Sequence, residues 1–311
     1  MVPVSTQYHL SKWSNMSPIF QPTAFLGVYD VARVYDSSSV AFFEAAGITD
    51  SALKDAVDDL VVDLKNNSLW NKMRCIYPFV TDKSTSSGSL VQFKFNLVNT
   101  SSFSGGGSSS FVNGESDTQD KSGFKSKAST STYMKTGLVP STVAGGGTQP
   151  YHISMYTNAT GSEPNNVIDC GANVTTNQTN LYLGRTYAGV PATVWAPRGG
   201  VEIVAVNQSV YKGHFVGRTD YSASGEYRHR LTRDGTEITG SNGNTIYGCG
   251  TVELYIGANN ANGSANDRAT KRYQFFSFGS SLTNAETTTF STIVNDFQAA
   301  VDTIYSTNRK A

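Results

Sequence analysis

Residues Leu254–Glu286 read LYIGANNANGSANDRATKRYQFFSFGSSLTNAE. Two apolar runs, Val252–Ile256 and Tyr273–Phe278, flank a loop of Gly, Asn, Ala and Ser, and a helix start follows at once. Thr283, with Glu286 three places on, forms a capping box in which each side chain satisfies the other's free backbone N–H. Phe290, Ile293, Val294, Phe297, Val301, Ile304 and Tyr305 then continue an apolar stripe, so the spacing predicts a terminal helix over 283–305. Asn259, Asn260, Asn262, Asn266 and Gly263 tolerate left-handed backbone, which suits a long hairpin turn running straight into that helix. The plain reading of the loop is therefore a turn. The sharper one is contact with a neighbouring subunit or a glycan.

Upstream, short runs of period two recur at Tyr151–Tyr156, Leu181–Tyr187, Val201–Val206, His214–Val216 and Tyr227–Thr232, separated by Gly, Asn and Ser clusters. In LVQFKFNLV, residues Val91, Phe93, Phe95 and Leu97 alternate with Gln92, Lys94 and Asn96, which reads as a half-buried strand. Many short strands without intervening helices imply a two-sheet antiparallel sandwich. Before it, Leu53, Ala56, Val57, Leu60, Val61 and Leu64 form one helical stripe behind Thr49, a suitable N-cap. Trp70 and Met73 continue that buried face. The segments FSGGGSSSFVNGESDTQDKSG and STVAGGGTQP read as surface loops, and there is no internal repeat. Four regions follow: an arm over 1–40, a helical segment over 41–80, a sandwich over 81–280 and a terminal helix within 281–311.

Composition narrows the function. Of 311 residues 15% are charged and the formal net charge is zero, which argues against a nucleic-acid partner. No run approaches the roughly 18 apolar residues of a membrane span, and the N-terminal segment shows no secretory h-region. Cys75, Cys170 and Cys249 are odd in number and far apart, so a disulfide framework is not expected and a reducing place of synthesis fits.

The run FFEAAGITDSALKDAVDDLVVDLKNNSLWNKMRCIYPFVTD, followed by FKFNLVNT, resembles the start of a family of phage virion proteins that carry a concanavalin A-like (laminin-G-like) jelly-roll domain. The later pieces TGLVPST, GHFVGRTDYSASGEYRHRLTRDGTEIT and residues 254–297 are similar to the same family in the same order, together covering about 41–300. The resemblance implies a mainly β, antiparallel jelly-roll β-sandwich with an N-terminal extended arm and flanking helices. It also implies a structural component of a virion, made in the host cytoplasm, with other virion proteins, a homo-oligomeric copy or host glycans as partners. Capsid decoration is the first role it suggests, and a tail or fibre adsorption protein the second. The loop 103–123 and the arm before residue 40 depart from the family pattern.

Jelly-roll glycoside hydrolases resemble one another in a Glu-x-Asp-x-Glu strand, which sets carboxylates about 5 Å apart on one face. Here Glu202, Glu226, Glu237 and Glu253 stand alone. His9, His152, His214 and His229 have no nucleophile or acid beside them, and no two His or Cys lie two to four apart as zinc ligands do. No enzymatic activity, cofactor or metal is expected, and no residue is assigned a catalytic role. Asn113, Glu115, Asp117 and Asp120 are chemically suited to Ca²⁺ but miss the EF-hand spacing, which favours a solvated acidic loop. Arg228 and Arg230 share one strand face and could pair with a neighbour's acids, though a solvated face is the plainer reading. Tyr182, Tyr187, Tyr221 and Trp195 are the candidates for stacking on sugar rings.

The arm carries Pro3, Pro18 and Pro22, which favour extended backbone, together with Trp13, Met16, Ile19, Phe20 and Phe25. Each such apolar side chain gains about 1.5–3 kcal/mol when fully buried, so the arm is expected to find a surface on a partner or on its own domain. A chain lacking residues 1–28 is expected to keep its sandwich, read by circular dichroism, yet fail to join particles. Unfolding on truncation would place the arm in the core, and continued assembly would place the attachment surface elsewhere.

Overall fold

The computed structural model describes residues 33–83, 86–100, 110–112, 120–126, 132–145, 149–159, 167–198, 201–206, 211–221, 227–243 and 248–308. Most of the arm, residues 1–32, lies outside them. The helices are α1 Ser37–Ala46, α2 Ser51–Asn66, α3 Ser86–Phe93, α4 Pro140–Val143 and α5 Asn284–Asn308. The first strands are β1 Met73–Tyr77, β2 Ser110–Val112, β3 Phe124–Lys125, β4 Tyr133–Lys135, β5 Tyr151–Thr157 and β6 Cys170–Val174. Next come β7 Asn177–Tyr187, β8 Val190–Arg198, β9 Val201–Val206, β10 Gly213–Tyr221, β11 Tyr227–Arg233 and β12 Thr236–Gly243. The last are β13 Tyr255–Ile256, β14 Asn259–Ala261, β15 Ser264–Asn266 and β16 Arg272–Ser280.

The chain is mainly β and forms an antiparallel two-sheet sandwich of jelly-roll type with flanking helices. One sheet runs β1-β16-β5-β10-β11-β12, with β3 on β16; the other runs β2-β4-β13-β6-β7-β8-β9, with the β14–β15 ribbon on β6. This corrects the opening expectation. Val252–Ile256 and Tyr273–Phe278 are not partners in one hairpin, because β13 belongs to one sheet and β16 to the other. The intervening loop is a crossover between sheets, and it folds its own two-residue turn at Asn262 (φ 50°) and Gly263 (φ 93°). β14 pairs in parallel with β6, and a parallel bridge joins Ile168 to Arg268 beside it.

The segment LVQFKFNLV is also corrected. It is the end of α3 followed by irregular chain, not a strand. Gln92 faces inward, where it accepts from Thr81 Oγ1 and donates to Asp82 Oδ1 (2.8 Å) and Gly47 O (3.2 Å), while Val91 is 53% exposed. Three polar groups, of Thr81, Asp82 and Gly47, converge on one buried amide, and that demand overrides the alternation. Phe93 enters the sandwich core, and Leu97 enters the layer beneath the helices. The α2 cap is Asp50, which accepts from Leu53 N, because Thr49 donates to Asp82 instead. The first sheet already includes β1, so the sandwich begins before residue 81. Within the expected surface loops stand β2 and α4.

Between the sheets, Trp195 of β8 lies across Gly217 of β10, where a Cβ would stand 2.5 Å from the indole. On the outer face of the first sheet, Val216, Tyr156 and Phe275 pack against α2 and α5 through Leu60, Phe290 and Phe297. The capping box at Thr283 and Glu286 forms as expected, with Thr283 N to Glu286 Oε2 at 2.8 Å and Glu286 N to Thr283 Oγ1 at 3.2 Å.

Two histidines are sealed under α5. His152 meets Ser280 O (2.6 Å) and Ser277 Oγ (3.3 Å), His214 meets Ser291 Oγ (3.1 Å), and both touch the Phe290 ring. Burial lowers His152 to about 4 and His214 to about 3, the latter also through its neighbour His152. Because the folded values lie below the unfolded one, near 6.5, their contribution is complete above pH 6.5 and is lost as pH falls toward 4. Stability is expected to drop by about 2–4 kcal/mol between pH 7 and pH 5, in a window above ordinary carboxylate titration. Urea melts across that range check this, and His214→Asn should flatten the slope. An unchanged midpoint would show that the histidines titrate normally.

Candidate functional site

The sequence candidates scatter. Trp195 is fully buried, and the Tyr182 ring is buried with the Arg185 guanidinium 4.3 Å from its centroid, so neither is an open sugar platform. Tyr187 and Tyr221 lie on β7 and β10, with side chains outside the described set. Arg228 and Arg230 pair within their own sheet, with Asp220 (2.8 Å) and Glu237 (3.4 Å). Glu202 pairs with Arg185 (3.1 Å), and Glu253 accepts from Gly137 N (2.6 Å). Asp120 accepts from Ser122 N (2.7 Å) and Arg272 (2.9 Å). His229 is buried and stacked parallel to Tyr227. His9, Asn113, Glu115, Asp117 and Glu226 lie outside the described residues. Among the described residues no three His, Cys, Asp or Glu gather as a metal site, and the three cysteines are buried and form no disulfide with one another.

The structure assembles a different site at the head of α5. A cavity of about 320 Å³ opens there, lined by Pro150, Asp220, Arg228 and the Ser281–Asn284 segment. Arg218 and Asp220 alternate on β10 and so share the face beneath α5, and Arg228 stands directly across from Asp220 on β11. Arg218 is 1% exposed; it donates to Asp220 Oδ2, to Asn284 Oδ1 and to Leu282 O (3.1 Å). Arg228 Nε holds the other carboxylate oxygen at 2.8 Å. Two guanidiniums thus fix the plane of the Asp220 carboxylate at the cavity wall. Asn284, with its oxygen taken by Arg218, keeps its amide N–H₂ as the donor end. An oriented acceptor, an amide donor, Thr283 and the Pro150 ring suit a small polyhydroxylated molecule.

None of Arg218, Asp220 and Asn284 stood out in the sequence. The usable signal was Arg-x-Asp on one strand followed by Arg in the next, and it becomes specific only when the register is known.

A second feature lies on the other sheet. Asn180, Gly171, Asn259 and Asn266 form a lateral row across β7, β6, β14 and β15. Asn260, beside them, is used within the ribbon, donating to Glu253 O and accepting from Gly263 N, each at 2.7 Å.

No protein-family model matches the chain, and no curated protein sequence matches it. Domain 4 of AbnA, an extracellular arabinanase from Geobacillus stearothermophilus solved with arabinotriose, is similar at TM-score 0.40 and 11% identity, over 71% of this chain and 98% of that one. The CBM40 of Ruminococcus gnavus IT-sialidase is similar at TM-score 0.33 and 10% identity, over 46% and 81%. The NanB sialidase of Streptococcus pneumoniae gives TM-score 0.34 and 15% identity over 45% of this chain, which spans only 24% of that enzyme. Likenesses of this size assign neither family nor function.

The network makes a contrast measurable. Asp220→Asn leaves the Arg218 guanidinium buried without its counter-charge and is expected to cost about 3 kcal/mol. Arg228→Gln removes a side chain 39% exposed and should cost under about 1 kcal/mol. Equal losses in urea denaturation would contradict this division of roles.

Proposed function

We propose that the chain is a non-enzymatic component of a phage particle whose β-sandwich binds a neutral glycan at the head of α5. The observation that carries the glycan reading is the cavity itself: about 320 Å³, open, and walled by a carboxylate that two arginines hold in place. Sugar hydroxyls donate to such a carboxylate and accept from the Asn284 amide, while Pro150 offers an apolar edge. The virion context rests on the sequence resemblance over about 41–300. Within that context the cavity supports the adsorption role over capsid decoration, which needs no ligand cavity.

The separation of the acids supports the non-enzymatic part. Glu202, Glu237 and Glu253 stand on β9, on β12 and before β13, each with its own partner. The arrangement for glycosidic cleavage requires two carboxyls facing one bond.

A glycan array probed with the purified full chain tests the reading. Binding to neutral glycans is expected, with at least a tenfold loss on Asn284→Trp, which fills the cavity from an exposed position; because that change also takes an acceptor from Arg218, the variant's circular dichroism spectrum must match the parent's at the assay temperature. Absence of binding, or binding indifferent to that substitution, would remove the glycan reading. Released sugar products would remove the non-enzymatic one.

A further inference from the structure

A cavity of about 380 Å³ lies at the far end of α5, away from the head of that helix. One wall is a tight turn over residues 120–123. It closes through Gly123 N to Asp120 O (2.9 Å) and Ser122 N to Asp120 Oδ1 (2.7 Å). Arg272 clamps the turn to β16, donating to Asp120 Oδ1 (2.9 Å) and to Gly123 O (2.8 Å). Glycine is required at the contact: Gly123 has φ 108°, and a Cβ there would overlap Tyr273 O. The clamp thus holds Lys121 and Ser122 beside the cavity on a fixed backbone.

The remaining walls come from β16 and α5. The register of β16 with β5 shifts between Tyr273 and Phe275, which makes Gln274 the extra residue of a bulge. Gln274 borders the cavity, is 7% exposed, and accepts from Gln298 Nε2 through its carbonyl (3.2 Å). Tyr305 spends its hydroxyl on Thr81, accepting from N (3.0 Å) and donating to O (3.2 Å), so its ring is left to form the wall. Lys121 Nζ stands 5.7 Å from the centroid of that ring. Ser306 lies in the last turn of α5, where the helix carbonyls carry partial negative charge. Its hydroxyl donates to Thr303 O (2.8 Å) and so meets a ligand as an acceptor.

Charge decides the ligand. Lys121 and Asp302 line one cavity, yet among the described residues no ion pair joins them or occupies either one. An ammonium and a carboxylate that share a cavity without pairing match a ligand carrying both charges in the reverse order. The Asn158 and Gln274 amides and the Ser122 hydroxyl both donate and accept, which suits ring hydroxyls. The volume is in the range of small-molecule sites and exceeds what a lone ion needs.

We propose that this cavity is a second ligand site, for a sugar residue bearing both a carboxylate and a free ammonium. The carboxylate faces Lys121, and the ammonium faces Asp302 and the carbonyl end of α5. The site does not depend on the neutral glycan at the head of α5.

NMR titration of the full isotope-labelled chain with glucosaminuronic acid tests this, with glucuronic acid, glucosamine and alanine as comparisons. The doubly charged sugar is expected to bind about tenfold tighter than either singly charged one, the worth of one charge-assisted bond, and to shift the Gln274 side-chain amide. Asp302→Asn should lower its affinity about tenfold without weakening glucuronic acid, and Lys121→Gln should do the same without weakening glucosamine. Asp302 is exposed and Lys121 partly so, and matching circular dichroism spectra confirm that both variants fold. Asn284→Trp, at the other cavity, should change nothing. An unmoved Gln274 amide would overturn the proposal, as would equal affinity for a singly charged sugar or a loss on Asn284→Trp. Alanine binding as tightly as glucosaminuronic acid would overturn the sugar class in favour of a free amino acid.

Discussion

A lysine ammonium and an aspartate carboxylate, both almost without exposed surface, meet where the two sheets of this sandwich are joined. Lys271 Nζ stands 3.2 Å from each oxygen of Asp169 and also donates to Leu183 O. The Tyr273 hydroxyl (2.8 Å) and Leu183 N (2.5 Å) complete the carboxylate's partners. Asp169 leads into β6 of one sheet, and Lys271, at the end of the crossover, leads into β16 of the other, so one ion pair ties the end of the crossover to the sheet it left. Burial raises the Asp169 carboxyl above its ordinary range although Lys271, Leu183 N and Tyr273 all oppose that, so dehydration is the dominant influence. A pair this dry adds little net stability compared with an apolar pair, but losing one partner is costly. Its contribution is therefore to fix one arrangement of the chain.

The rest of the architecture follows from where β16 starts. That strand lies between β1 and β5 and carries Phe275 and Phe276 to opposite sides, one under the helices and one into the sandwich. Its last residues lead directly to the capping box that starts α5. The position of α5 in turn brings Asn284 over Arg218, and with it the cavity. The proposed site is thus built by an element order, β16 then α5, whose origin is the buried pair, with Lys271 immediately before β16. On the opposite sheet the same crossover brings Asn259 to Gly171.

Much of the fold was legible because local signals agreed with tertiary ones. The α2 and α5 stripes, the Thr283–Glu286 box and strands such as Val201–Val206 needed only periodicity and capping rules. Where the reading failed, the deciding contacts were long-range ones. Gln92 faces inward because Thr81, Asp82 and Gly47 need it, which no alternation pattern contains. The hairpin expectation failed because adjacency in sequence does not reveal which sheet a two-residue strand joins. The candidate site was the least legible part, since Arg218, Asp220 and Asn284 come together only through strand register and helix placement. Of the aromatic candidates, Trp195 and Tyr182 are good core residues, and the core took them.

The buried Asp169–Lys271 pair sets the sheet-to-sheet crossover. Native-state hydrogen exchange on Lys271→Met tests it most directly. Leaving the Asp169 carboxylate unpaired should lower protection in β6, β7 and β16 together, by about 3–5 kcal/mol, and Asp169→Asn added to it should restore part of that loss. Protection unchanged from the parent chain, or lost in β16 alone, would show that the crossover is held by something else.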